Sequence, residues 1–207
     1  MKIIMIGQGG HSKVIKDIIL SNKGFEIVGY LDDQYKDLTI VDHIFCGPIS
    51  SAYEMINKIN QAKFVIAIGN NKVRKKISEK LDLPDNYYVT LIHKTAVISP
   101  NAKIGNGTVV MPQAVINADT QIGNHAIINT GSVVEHDNVL GDFVHISPHA
   151  TLTGSVTIGE GTHIGAAATL IPSVKIGEWS VIGAGAVVIE DIPSNCTAVG
   201  IPAKVIK

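Results

Sequence analysis

The sequence predicts a two-part fold: a small α/β unit over residues 1–91, then a parallel β-helix of six-residue repeats over residues 92–207. Three observations carry this expectation. The chain of 207 residues holds 32 Ile, 21 Val and 20 Gly but only 5% aromatic residues, so its core is built from β-branched side chains rather than rings. The first 91 residues alternate strand-like and helix-like segments. After about residue 92 that alternation stops and a strict period of six begins.

In the first part, residues 2–6 are a short apolar strand, followed by a glycine loop, Gly7–Gly10. Residues 12–21 place Val14, Ile15, Ile18 and Ile19 at helical spacing. Residues 25–31 read as a second strand, 50–59 as a helix, 64–68 as a third strand, 71–81 as a helix rich in Lys and Arg, and 87–92 as a last strand. This texture predicts a small parallel sheet with helices on its faces.

In the second part, every sixth position from Ile92 to Val188 is Ile, Leu or Val, seventeen in a row. Four residues after each stands a small or β-branched residue, with Asn138 and Ile192 as departures. Such a period fits neither a heptad coil nor a helical repeat. Six residues make one short flat strand and a turn, three of them close a triangular coil of eighteen, and the aliphatic residue fills the interior. Gly and Asn at the corners are expected to supply positive φ.

The balance of charge excludes several functions. A net charge of −1 and 17% charged residues predict no nucleic-acid partner. No apolar run reaches the roughly 18 residues of a membrane span, so no membrane insertion is expected. The opening MKIIMIGQGG lacks a cleavable signal pattern, and Cys46 and Cys196 make no disulfide or zinc framework, so a cytoplasmic protein is expected.

Two features carry chemistry. Gly7-x-Gly9-Gly10 follows a strand and precedes a helix, the setting in which backbone N–H groups cradle an anion. Asp32 lies 25 residues on, where an acid often meets a ribose, but Ser12 replaces the third glycine of a dinucleotide fingerprint. In the repeat region His136 stands between Glu135 and Asp137. A carboxylate holds an imidazole in one tautomer and raises its basicity, which suits a general base. His125 and His149 read as surface polar residues. His145 and His163 fall in one slot a coil apart, about 4.8 Å if coils space like strands.

The Ile-Gly-x-x-small-x repeat resembles the left-handed parallel β-helix of hexapeptide acyltransferases. The hand comes from the resemblance, because parallel crossovers are generally right-handed. Six segments extend the likeness along the chain: Gly7-Gln8-Gly9-Gly10-His11, Leu31-Asp32-Asp33, Ala67-Ile68-Gly69-Asn70-Asn71, Leu91-Ile92-His93, Val134-Glu135-His136-Asp137 and Gly200-Ile201-Pro202-Ala203-Lys204. Together they resemble bacterial sugar-nucleotide acetyltransferases with a Rossmann-like N-terminal domain. The likeness is greatest to UDP-4-amino-sugar N-acetyltransferases of the bacillosamine type, with perosamine N-acetyltransferases and sialic acid O-acetyltransferases near by.

That resemblance implies an acetyl-CoA-dependent homotrimer, with no metal, acetylating the 4-amino group of a UDP-linked 4-amino-4,6-dideoxy sugar. Residues 1–91 would bind the nucleotide sugar and 92–207 would transfer the acetyl group. His136 would be the general base, Asp137 its orienting partner and Glu135 a second acid. Gly9, Gly10, His11, Asp32, Asp33 and Gly69 would hold the UDP part, and Asn129 would line the substrate cleft. His145 would meet acetyl-CoA near the thioester and help stabilise the oxyanion, Gly165, Ala166, Gly183 and Ala184 would leave room for the pantetheine arm, and Lys204 would pair with a coenzyme phosphate. His163 receives no role. Gln8, Ser12 and Asp137 depart from the family pattern; Asp is a methylene shorter than the usual Glu, so its contact with His136 is expected to lengthen or pass to Glu135. The alternatives are a sugar O-acetyltransferase, a non-catalytic nucleotide-binding β-helix protein and an NAD-linked enzyme. A zinc site of the γ-carbonic-anhydrase kind is disfavoured, because His145 and His149 are four apart rather than five.

Overall fold

A computed structural model describes all 207 residues and divides them into two units, Met1–Leu91 and Ile92–Lys207. The first is built on a five-stranded sheet. Its strands are β1 (Lys2–Ile6), β2 (Glu26–Leu31), β3 (Thr39–Val41), β4 (Ile44–Gly47) and β5 (Lys63–Ile66), in the order β3-β4-β2-β1-β5. All pairings are parallel except the β3–β4 hairpin. Ile3, Ile4, Met5 and Ile6 of β1 are fully buried, as suits an interior strand of a sheet covered on both faces.

Helix α1 (Gly10–Leu20) buries Ser12, Ile15, Ile18 and Ile19, while Val14 faces outward. Helix α2 (Ala52–Lys58) follows a 3-10 turn at Ile49–Ser51, so the helix expected over 50–59 begins later. Helix α3 (Asn71–Leu81) starts at Asn70, whose side chain accepts from Val73 N–H at 3.0 Å, and ends at Asp82 in the left-handed region. The strand expected over 87–92 is interrupted: Asp85–Tyr87 is a 3-10 turn, Tyr88 makes a single bridge to Phe64, and only Leu91–Ile92 is strand. The β3–β4 hairpin had no sequence signal, since its turn places Asp42 and His43, not Asn-Gly, at positive φ.

In the second unit each six residues contribute one two-residue strand, and strands eighteen apart pair in parallel. Three faces result. The first stacks Val109–Val110, Ile127–Ile128, His145–Ile146, His163–Ile164 and Val181–Ile182. The second runs from Val97–Ile98 through Val133–Val134 to Val187–Val188, and the third from Lys103–Ile104 through Val139–Leu140 to Lys175–Ile176. The aliphatic column forms the core: Val110, Ile116, Ile128, Val134, Ile146, Leu152, Ile164, Leu170, Ile182 and Val188 are fully buried. Ile92, at the open end of the prism, is 43% exposed.

The corners correct one expectation. From Gly107 to Gly185 every sixth residue has positive φ, fourteen in succession, yet only Gly107, Gly131, Gly161 and Gly185 are glycine. Residues as large as His125, Phe143 and Trp179 take the left-handed conformation. The Ile-Gly glycines serve another need. A Cβ on Gly159 would lie 2.5 Å from Glu178 N, and one on Gly165 2.5 Å from Ala184 N. They are glycine because the next coil's backbone passes too close for any side chain. The small-residue slot is also a ladder: Thr108, Thr120 and Thr162 donate to carbonyls fifteen residues on, and Thr108 and Thr162 accept from N–H groups eighteen on.

Candidate active site

His136 sits at the corner where the chain leaves the second face for the third. Its imidazole is exposed, with Nδ1 and Asp137 Oδ2 2.8 Å apart. The contact therefore neither lengthens nor passes to Glu135, because Asp137 is in the left-handed region and turns its short side chain back toward the ring. This hydrogen bond raises the His136 pKa above 6.5, with smaller contributions from the charges of Asp137 and Glu135. Nδ1–H toward the carboxylate leaves Nε2 as the basic atom. Glu135 is half-buried, and its carbonyl accepts from Thr120 and Asn138.

A second polar group lies on the first face. Asn129 Oδ1 accepts from Thr130 N–H at 2.8 Å, which fixes the amide and turns its Nδ2 toward His145 Nε2 at 3.1 Å. Since that Nδ2 can only donate, His145 Nε2 accepts and the ring is neutral with its proton on Nδ1. Donation from His145 Nε2 to an oxyanion would require the ring to give up this partner. His145 stacks on His163 with centroids 4.7 Å apart and planes within 2°, and Ser147 Oγ meets His163 Nε2 at 2.7 Å. Gly165, Ala166, Gly183 and Ala184 occupy the corner leaving this same face. His125 is not a surface residue: it is 2% exposed and stacks on Phe143 at 5.1 Å. His149 is exposed, and no group of three or more His, Cys, Asp or Glu residues is gathered for a metal.

The glycine loop belongs to the first unit. A Cβ on Gly9 or Gly10 would meet nothing within 4 Å, and one on Gly69 only the His11 side chain, at 3.8 Å from its Cβ. Neither internal packing nor positive φ asks for glycine at these three positions. Open space beside the start of a helix is what a bound anion would use. His11 is pushed down to about 4, chiefly by burial and then by the charge of Arg74, so it is neutral at pH 7. Buried Arg74 donates to the carbonyls of Ile68 and Gly69 and so shapes the facing loop. Asp32 accepts from the N–H groups of Gln8 and Gln34, and Asp33 from Ile49 N–H, so both carboxylates tie backbone together. Gln8 Oε1 accepts from Gln34 and from Tyr35. Lys204 is exposed, 3.5 Å from Glu190.

Residues 2–81 match the family described as PglD N-terminal domain, and residues 101–136 and 155–190 match bacterial transferase hexapeptide (six repeats). A histidine-to-asparagine variant of perosamine N-acetyltransferase from Caulobacter crescentus, in complex with CoA and GDP-perosamine, superposes with a TM-score of 0.90 at 35% identity over 100% of this chain and 97% of that one. The chain belongs to the PglD-type hexapeptide-repeat N-acetyltransferase family. Its second unit is accordingly the left-handed parallel β-helix. In the same family group, the acetyltransferase domain of PglB from Neisseria gonorrhoeae FA1090, in complex with acetyl coenzyme A, gives a TM-score of 0.83 at 37% identity over 99% and 98% of the two chains. The UDP-N-acetylbacillosamine N-acetyltransferase of Bacillus subtilis (strain 168) is 45% identical over 109 residues, 53% of this chain and 50% of that one, so the match spans about half of the curated relative.

The family match leaves one geometrical fact to explain. His136 and His145 are nine residues apart, half of an eighteen-residue coil. The corner between the second and third faces stands opposite the first face across a triangular prism. Within one chain, therefore, His136 is across the prism from His145 and one face-width from the corner that carries Asn129 and Gly165.

Proposed function

We propose that this chain transfers the acetyl group of acetyl-CoA to the 4-amino group of a UDP-linked 4-amino-4,6-dideoxy sugar. The observation that carries the reading is the His136–Asp137 pair: an exposed imidazole, oriented through Nδ1 and made more basic, with Nε2 left for substrate. His136 takes a proton from the sugar amine as its nitrogen attacks the thioester carbon. The tetrahedral intermediate collapses with loss of the CoA thiolate, which receives the proton from His136. Glu135 adds negative charge near the ring. Open glycines at Gly9, Gly10 and Gly69, beside neutral His11, support nucleotide binding by the first unit. Asp32 acts there by fixing the loop that carries Gln8, and Asp33 by holding the chain at Ile49. The reading as UDP rests on the 45% identity over 109 residues to the bacillosamine enzyme, and the 35% identity over the whole chain to the perosamine enzyme makes GDP the alternative.

The split of polar groups across the prism supports a site shared between subunits, hence a homotrimer. His136 of one copy would face Asn129, His145, Gly165, Ala166, Gly183 and Ala184 of the next, where acetyl-CoA lies, with Lys204 beside its phosphates. The outward positions of the second face, Val97, Val115, Val133, Thr151, Thr169 and Val187, are all β-branched and suit packing between copies. The deciding experiment measures thiol release with UDP-, GDP- and dTDP-amino sugars for the wild type and His136→Ala. The variant should lose about 10²–10⁴-fold in kcat while still binding acetyl-CoA. Near-full transfer by His136→Ala to every sugar would overturn the mechanism.

A further inference from the structure

Two departures from the six-residue pattern meet at the corner of His136. In the slot two residues after each aliphatic position, the chain has Lys, Pro, Asn, Ala, Thr, His, Asp or Glu; only Gly154 is glycine. In the slot four residues after, where small or β-branched residues stand, Asn138 is the one amide. Gly154 is one coil on from His136. Its φ lies outside the left-handed region, so conformation does not require glycine. A Cβ there would lie 2.6 Å from Cε1 and 2.7 Å from Nε2 of His136. The imidazole lies against the bare backbone of Gly154.

Asn138 fixes that backbone beneath the ring. It is fully buried, donates to Thr153 O at 3.0 Å and accepts from Val156 N–H at 3.1 Å, so its two bonds bracket Gly154. Its Nδ2 also donates to Glu135 O at 2.5 Å, within its own corner. Ser155 N–H donates to His136 O at 2.9 Å. In the same slot Thr108 and Thr162 make the first two kinds of bond with a hydroxyl, and Ser132 and Ser180 reach a carbonyl of their own corner. The Asn138 amide has two protons, so it donates to both coils at once, which a single hydroxyl proton cannot do.

We propose that Gly154 and Asn138 are positioning residues that form a rigid seat for His136, setting the plane in which Nε2 meets the sugar amine. This inference rests on the reading of His136 as general base. Asp137 fixes the ring by its edge, and the seat fixes it by its face. The exposed ring is the softest neighbour of a Cβ at position 154, so Gly154→Ala would move the imidazole and spare the fold.

The test compares wild type, Gly154→Ala, His136→Ala and the double variant in the same thiol-release assay. A displacement of about 1 Å costs on the order of 100-fold in rate, and Gly154→Ala should lose about that much kcat/KM with little change in Tm. In the His136→Ala background the same substitution should cost less than about twofold, because there is no ring left to displace. Asn138→Thr, which keeps the bonds between coils but drops the one to Glu135 O, should give a smaller loss that also vanishes without His136. Equal losses in both backgrounds, an active Gly154→Ala, or a large fall in its Tm would each overturn the seat. If His136→Ala retains transfer, the general-base reading fails, and the seat is judged by NMR. The His136 titration should then fall toward 6.5 in Gly154→Ala as the Asp137 contact is disturbed; an unchanged titration refutes it.

Discussion

Lowering the pH should unfold the first unit selectively through His11. The imidazole is held down to about 4 from 6.5, first by burial and second by the charge of Arg74. Above pH 6.5 both the folded and the unfolded chain carry a neutral His11, and acidity has no hold on it. Between 6.5 and about 4 the unfolded chain binds a proton there and the folded one does not, so stability falls as pH falls. The gap, at about 1.4 kcal/mol per pH unit, amounts to about 3 kcal/mol, a large part of what holds a domain of this size. The chain offers a convenient assay. All five tyrosines (Tyr30, Tyr35, Tyr53, Tyr87 and Tyr88) lie in the first unit, and the single tryptophan, Trp179, in the second. Urea unfolding read by tyrosine at pH 7, 5.5 and 4 should lose about 3 kcal/mol more in wild type than in His11→Gln. The tryptophan transition should not distinguish the two proteins. An equal acid dependence in both, or a His11 ring titrating near 6.5 in the folded chain, would refute the reasoning.

Glycines of two kinds should separate stability from binding. Gly159→Ala sets a methyl 2.5 Å from Glu178 N, which cannot yield, and should cost about 3 kcal/mol, a fall of about 10 °C in the Tm of the second unit. Gly9→Ala and Gly10→Ala meet open space, so Tm should hold while the Kd for the nucleotide sugar, measured by calorimetry, rises about tenfold. Asp137→Asn removes the main cause that raises the His136 pKa. A general base works in its neutral form, so the acid limb of the kcat/KM profile should move to lower pH, and an unmoved limb would detach His136 from the rate.

How much could be read from the chain depended on whether each residue's surroundings repeat. The aliphatic column was legible because every coil gives that position the same environment, from Val110 to Val188. Helix α3 was legible because Asn70 caps it and Ile77 and Leu81 mark its buried face. The β3–β4 hairpin was not, because two strands of three and four residues carry too few alternations and the Asp42-His43 turn lacks the usual signal. The burial of His125 depends on Phe143, eighteen residues on, and on the left-handed turn at both, neither of which shows in a local window. Asp32 was expected at a ribose, and its carboxylate also serves Gln8 and Gln34 N–H, a role no local window shows. Acids that close a turn and acids that meet a ligand look alike until their hydrogen bonds are traced. The signal for Gly154 was present, since it lies one coil from His136, but it required comparing slots rather than neighbours.

The same comparison explains where chemistry can arise on this scaffold. Interior positions are constrained by volume, and the Ile-Gly positions by the backbone of the coil beyond. Corner residues at positive φ face neither limit, so they vary from Gln113 to Trp179 with no change in the coil. Variation there is cheap and by itself says little about function. A departure in a constrained slot is different, because each coil above and below must accommodate it. Asn138 stands in the core-lining slot, and Gly154 stands where the other coils carry side chains. Both lie within one coil of the imidazole that Asp137 holds, and their hydrogen bonds and contacts converge on it. On a scaffold this regular, two independent irregularities at one corner support the proposed reacting group more sharply than the glycine loop does, since open space at Gly9 and Gly10 points to a ligand but not to a reaction.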